Sequence, residues 1–239
     1  MFNLFRLFIV GMTALAFTLG VGANESLLAT PLTFDLFGVN DPNLKASVGF
    51  GYTPSIPSTG AIAINIQNTS LPAAGTDPRF TAFAFNVPAN VTGFSTFSGP
   101  TGWSGLYSPN SINTPSQFGS FDMAGITGPD FNGGSPNDGI PRNSTFNFTF
   151  TLTGSNLDLL SENSFLSLLS NDPAGPPNES PQYFAGRFQR TGPDGEGSDV
   201  AIPGGDPVPG GGPVPEPATM LLLGSGLMGL WGFRKKFKK

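Results

Sequence analysis

An all-β fold of antiparallel strands is what this sequence predicts, and three observations carry the prediction. The stretch Thr145-Phe-Asn-Phe-Thr-Phe-Thr-Leu-Thr153 puts Phe146, Phe148, Phe150 and Leu152 on one side and polar residues on the other. That period of two is the mark of a half-buried strand. Breakers such as Pro54, Pro57, Pro88, Gly93 and the pair Gly99-Pro100 divide the chain into short pieces. With 38% hydrophobic residues and 23 Phe, the chain is also too apolar and aromatic for a disordered polymer. Many short strands joined by Gly/Pro turns imply an antiparallel β-sandwich, jelly-roll-like or immunoglobulin-like, with a barrel as the second arrangement.

The individual elements follow in chain order. Leu32–Phe37 alternates in part, Ala61–Ile66 alternates with its isoleucines on one face, and Phe80–Val87 places Phe83, Phe85 and Val87 together. Thr145–Thr153 is the clearest strand. Leu157–Leu169 breaks the period: Leu157, Leu160, Phe165, Leu168 and Leu169 fall near helical spacing. One short helix is therefore expected around Ser161–Leu169, capped by Ser161 or Asn163 and closing one end of the sandwich. Tyr183–Arg190 reads as a last strand before a turn at Gly192-Pro193-Asp194-Gly195.

Both ends of the chain read as addresses. After Arg6, residues 7–22 are apolar, and Val21-Gly22-Ala23 supplies the small residues of a signal-peptidase site. This predicts a secretory signal peptide over residues 1–23, cleaved after Ala23, with Ala29 as the second choice. An exported domain is then expected over 24–201 and a Pro/Gly-rich spacer over 202–213. Residues 214–239 form a tail of three parts: Val214-Pro215-Glu216-Pro217, an uncharged apolar run, and a basic end.

Within the tail, the apolar run includes Met220, Leu221, Leu222, Leu223, Leu227, Leu230, Trp231 and Phe233. Residues 220–233 span about 21 Å as a helix at 1.5 Å per residue, short of a hydrocarbon core of about 30 Å. Ala218, Thr219, the interfacial Trp231 and the snorkelling lysines extend it, so a transmembrane helix is expected over 218–233. Arg234, Lys235, Lys236, Lys238 and Lys239 predict that this end stays cytoplasmic while the bulk of the chain lies outside.

Pro215-Glu216-Pro217, a short apolar helix and a basic cluster together resemble the PEP-CTERM sorting signal of exopolysaccharide-producing bacteria. The resemblance covers about 26 residues of the 239 and implies recognition by an exosortase, an integral-membrane cysteine transpeptidase-like enzyme, with cleavage near Pro-Glu-Pro. It further implies a Gram-negative host, transient anchoring in the inner membrane, then a place at the cell surface or outside it in association with extracellular polysaccharide. Tyr183–Arg190 followed by Gly195–Asp199 also looks like the end of the β-rich exported domains that precede such tails, a likeness that implies no activity. The motif has a physical sense of its own: two prolines fix φ and withhold backbone donors, presenting an extended segment to a protease.

Composition narrows the chemistry. The chain has no His and no Cys, which excludes Ser-His-Asp and Cys-His catalysis, the usual zinc sites and any disulfide framework. Residues 24–217 hold five basic residues (Lys45, Arg79, Arg142, Arg187 and Arg190) against all 16 acidic ones, a net of −11. Such a domain repels phosphate backbones, so no nucleic-acid partner is expected. A non-enzymatic protein is expected, whose partners are the secretion machinery with its signal peptidase, the exosortase-type protease, the inner membrane and extracellular polysaccharide.

The remaining candidates have competing readings. Lys45 would serve a Ser-Lys dyad or simply sit at the surface. Asp122, Asp130, Asp138, Asp158 and Glu162 are available for a carboxylate-based glycosidase, with no spacing that singles out a pair. No cofactor is expected. Asp130 with Asp138 in one loop, and Asp194 with Asp199 in another, are the candidates if Ca²⁺ is bound, and Asx/Gly-rich turns are the simpler reading of both. Trp103 and Tyr107 would form a platform for a sugar ring, or Trp103 would plug one end of the sandwich.

Overall fold

The computed structural model describes residues 31–71, 75–114, 118–171, 181–204 and 208–209. Its strands are β1 (Leu32–Gly38), β2 (Lys45–Ile56), β3 (Thr59–Asn68), β4 (Arg79–Phe85), β5 (Val91–Ser98), β6 (Ser104–Asn113), β7 (Ser120–Ile126), β8 (Thr145–Gly154), β9 (Phe184–Gln189), β10 (Ser198–Pro203) and β11 (Val208–Pro209). A 3₁₀ turn at Leu157–Leu159 and one helix, α1 (Glu162–Leu166), complete it. The strands form a single antiparallel sheet in the order β5-β8-β3-β2-β1-β10-β9-β4-β7-β6, with β11 added beside β1. The sheet curls until its two edges meet, where the Tyr107 hydroxyl of β6 donates to the Val91 carbonyl of β5 at 3.1 Å. The expected antiparallel all-β architecture is present, and the facing layers are two halves of one nearly closed sheet.

Aromatic side chains fill the space between the halves. Phe83 of β4 meets Phe148 of β8 at 4.9 Å between ring centroids, Phe50 of β2 meets Phe85 of β4 at 5.5 Å, and Phe34 of β1 meets Phe184 of β9 at 5.2 Å. These contacts join residues far apart in sequence, and edge-on or offset rings add to what burial alone supplies. The alternation of β8 is realised as read: Phe148, Phe150 and Leu152 are buried. A close approach explains one glycine, because a Cβ on Gly125 of β7 would lie 2.4 Å from the Phe83 ring. Gly93 takes φ +149° where β5 shifts register against β8.

Strands β4, β7 and β9 also have a second face. Ala82, Ala84, Phe121, Ala124, Ile126 and Ala185 make a smaller core, closed by Phe131 from the loop after β7. That loop is the long Asp130–Gly139 segment, which serves as a cover.

Two sequence readings are corrected by the strands near the C-terminus. β9 is not the last strand: after the turn at 192–197 the chain returns as β10, pairing Ser198↔Gln189 through Ala201↔Gly186. Nor do the described residues of the expected 202–213 spacer lie outside the fold. Ile202 and Pro203 pair with Phe37 and Leu36, and Val208–Pro209 pair with Thr33 and Leu32.

The antiparallel order also sets the two rims. Leu32, Pro209 and Phe85 mark one rim, since Leu32 pairs with Pro209 and Phe85 with Phe184. The turns at 39–44 and 190–197 mark the other. Residues 31 and 209 therefore lie on the same rim. The helix is there too, shorter than expected, with Ser161 as its N-cap and Phe165 against Phe50 and Tyr52.

Candidate functional site

On this same rim β4 gives way to the turn 86–90. β6 makes an excursion here as well: its pairing with β7 jumps from Tyr107↔Met123 to Ile112↔Phe121, so residues 108–111 leave the ladder. Asn110 turns the excursion with φ 53°. Between this excursion, the 86–90 turn and the segment after α1 lies a cleft of about 480 Å³.

Asp122 of β7 organises its floor. Its Oδ2 accepts the Val87 amide at 3.1 Å and its Oδ1 accepts the Asn110 amide at 2.7 Å, so one buried carboxylate holds both loops. Asn171 closes the site: its Nδ2 donates to Asn110 Oδ1, and its backbone bridges Ser120. Asn86 is 4% exposed and its Oδ1 has no hydrogen-bond partner. Tyr107 lines the cleft, and burial together with the nearby Asp122 raises its hydroxyl pKa above the ordinary tyrosine value. Pro88, Ala89, Leu168 and Leu169 supply an apolar side.

Except for Asp122 and Tyr107, the sequence candidates are placed elsewhere, and apart. Trp103 is a plug rather than a sugar platform: it is buried against Phe83 and Phe148, and its Nε1 donates to the Asp138 carbonyl at 2.8 Å. Lys45 lies 5.2 Å over the Phe37 ring. Glu162 accepts the Tyr52 amide through Oε1 at 3.0 Å.

Of the proposed Ca²⁺ ligands, Asp130 Oδ1 accepts the amides of Asn132 and Gly133, the bonding of an Asx turn. Asp199 is buried and accepts the amides of Asn40 and Asp41 and the Asn40 side chain. Asp194 is in the exposed turn between β9 and β10, and Asp138 lies beside Gly102. Among the described residues no three acidic groups come together to hold a metal ion. Arg187 stands between the two loops. It donates to Asn132 Oδ1 and Ser198 Oγ; desolvation lowers its pKa, while Asp130 and Asp199 oppose that shift. A guanidinium placed there supplies the positive charge that a bound cation would bring.

Sequence reasoning named Asp122 and Tyr107 without joining them, and missed Asn86, Asn110 and Asn171. The one available signal was the run of turn-forming residues around Pro88 and Pro109. Ala23, Val214–Pro217 and the whole apolar and basic tail lie outside the described residues.

The model of the PEP-CTERM protein-sorting motif matches residues 213–236. The chain carries a PEP-CTERM sorting signal. This makes it an exported protein sorted by an exosortase, held at the membrane in passing and then at the surface. The match lies within the tail, so the rest of the chain is described by its own geometry. No curated protein and no solved structure matches the chain.

Proposed function

We propose that this PEP-CTERM protein is a non-enzymatic component of the cell surface or extracellular matrix, linked to exopolysaccharide and biofilm, whose β domain is delivered by its tail. The sorting motif at 213–236 carries the reading. The residue inventory supports the non-enzymatic part: His and Cys are absent, Lys45 rests on an aromatic ring, and Asp122, Asp130, Asp199 and Glu162 each accept backbone amides. A carboxylate held by amides serves to position the chain.

The test is the intact mass of the mature protein from its native host beside a Pro215→Ala/Glu216→Ala variant. A C-terminus near Pro217 in the wild type, with the tail retained in the variant, is expected. An intact Lys239 end in both proteins would show that the tail anchors without being processed. Independently, incubating the purified protein with host polysaccharide is expected to leave the polymer's size distribution unchanged, and depolymerisation would show an enzyme.

A further inference from the structure

We propose that the cleft between the 86–90 turn and the β6 excursion binds a neutral saccharide. Its hydroxyls would donate to Asn86 and Asp122, and a C–H face would lie against the apolar wall. The inference goes beyond delivery by the tail, since every group it uses belongs to the β domain.

The floor is rich in acceptors. Buried polar atoms in folded proteins nearly always have a partner, and leaving one bare costs about 1–3 kcal/mol. Asn86 Oδ1 is such an atom, buried on a residue that lines the cleft. Asp122 accepts one amide on each oxygen, and a carboxylate has about four acceptor positions. The floor therefore offers places for donors brought from outside.

Charge and shape select among donors. No Lys or Arg lines the cleft, so a phosphate, sulfate or uronate would meet Asp122 with nothing to balance its charge. A single carboxylate is also a poor basis for Ca²⁺, which takes 6–8 oxygen ligands. A hydroxyl-rich neutral ring suits the floor without adding charge. Val87, Pro88, Ala89 and Leu169, with the ring of Tyr107 beside them, give its C–H groups an apolar surface. The volume of about 480 Å³ falls in the range of small-molecule sites and fits one or two sugar residues.

The experiment is ligand-observed NMR on the full chain in a detergent without a sugar head group, since a glycosidic detergent would compete. The probes are glucose, galactose, mannose, cellobiose and lactose, with glucuronate and CaCl₂ as comparators. At least one neutral sugar is expected to bind with a Kd of about 1 mM or tighter. Ala89→Trp fills the cleft from an exposed turn position and should weaken that binding about tenfold or more while leaving the melting temperature unchanged. Asn86→Ala is expected to weaken binding as well, and its melting temperature separates lost affinity from lost folding. Absence of binding by every neutral sugar, tighter binding of glucuronate or Ca²⁺, or unchanged affinity in Ala89→Trp overturns the proposal. None of these outcomes depends on whether the tail is cleaved.

Discussion

Tyr52 illustrates how single side chains hold this molecule together where the ladder stops. It is 2% exposed, and its hydroxyl donates to the Leu157 carbonyl at 2.7 Å, tying β2 to the 3₁₀ turn. Desolvation, and secondarily Asp158, raise its pKa above the ordinary value of 10.0. The folded state thus keeps the phenolic proton after the unfolded chain begins to release it. The associated stability is full below about pH 10 and lost as pH rises through the raised folded value. Urea unfolding is expected to show Tyr52→Phe about 1 kcal/mol less stable at pH 8, through the lost hydrogen bond. Above pH 10 the wild type should lose stability more steeply than the variant. A difference independent of pH would show that the hydroxyl is not held as described. Tyr107, also raised, leaves a shallower pH dependence in the variant. None of this was legible in the sequence, where Tyr52 is one aromatic among glycines and a proline; the hydroxyl's partner comes from 105 residues away.

At the scale of elements, helix α1 has only five residues, too few to stand alone. Packing holds it: Phe165 enters the core, and Glu162 caps the Tyr52 amide beyond the last β1–β2 pair, Leu32↔Phe50. A sheet edge left bare there would expose an unpaired donor. Glu162→Ala is expected to cost about 1–2 kcal/mol, and amide hydrogen exchange should speed up at Tyr52 while the β3–β8 ladder stays protected. Uniform acceleration would mean that Glu162 supports the whole barrel. The helix was readable because leucines and Phe165 break the period of two, and β8 because one face is core and the other polar. Strands β7 and β4 were harder: buried on both faces, they show little alternation, and β7 was not recognised. β6 was missed for the opposite reason, being an edge strand with mostly polar residues and an excursion in its middle. The cleft escaped for the same cause, since its floor is assembled from a turn, an excursion and the segment after the helix.

The molecule as a whole has unlike rims. One carries the helix, the cleft, residues 31 and 209, and the exposed side chains of Ile56, Leu159 and Leu169; Val39 and Leu71 lie at the other, beside the Asn40–Asn43 turn. Ten residues, 210–219, separate the last described strand from the apolar run, a reach of at most about 36 Å when fully extended. The natural absence of Cys makes the geometry measurable with single thiols. In membranes holding the Pro215→Ala/Glu216→Ala chain, a bulky maleimide should modify Val39→Cys as fast as in the released domain, and Leu159→Cys several-fold more slowly. Equal slowing at both positions would mean that the barrel lies on its side.

Because the strand that starts the barrel and the strand that ends it are partners, the tether leaves from the rim that holds the cleft. On the proposed reading, an anchored tail would keep that opening within a short reach of the lipid, and cutting the tail would free it to open medium. On that reading the cut would set an order of events as well as a destination: a large polymer would meet the opening only after the chain had let go of the membrane.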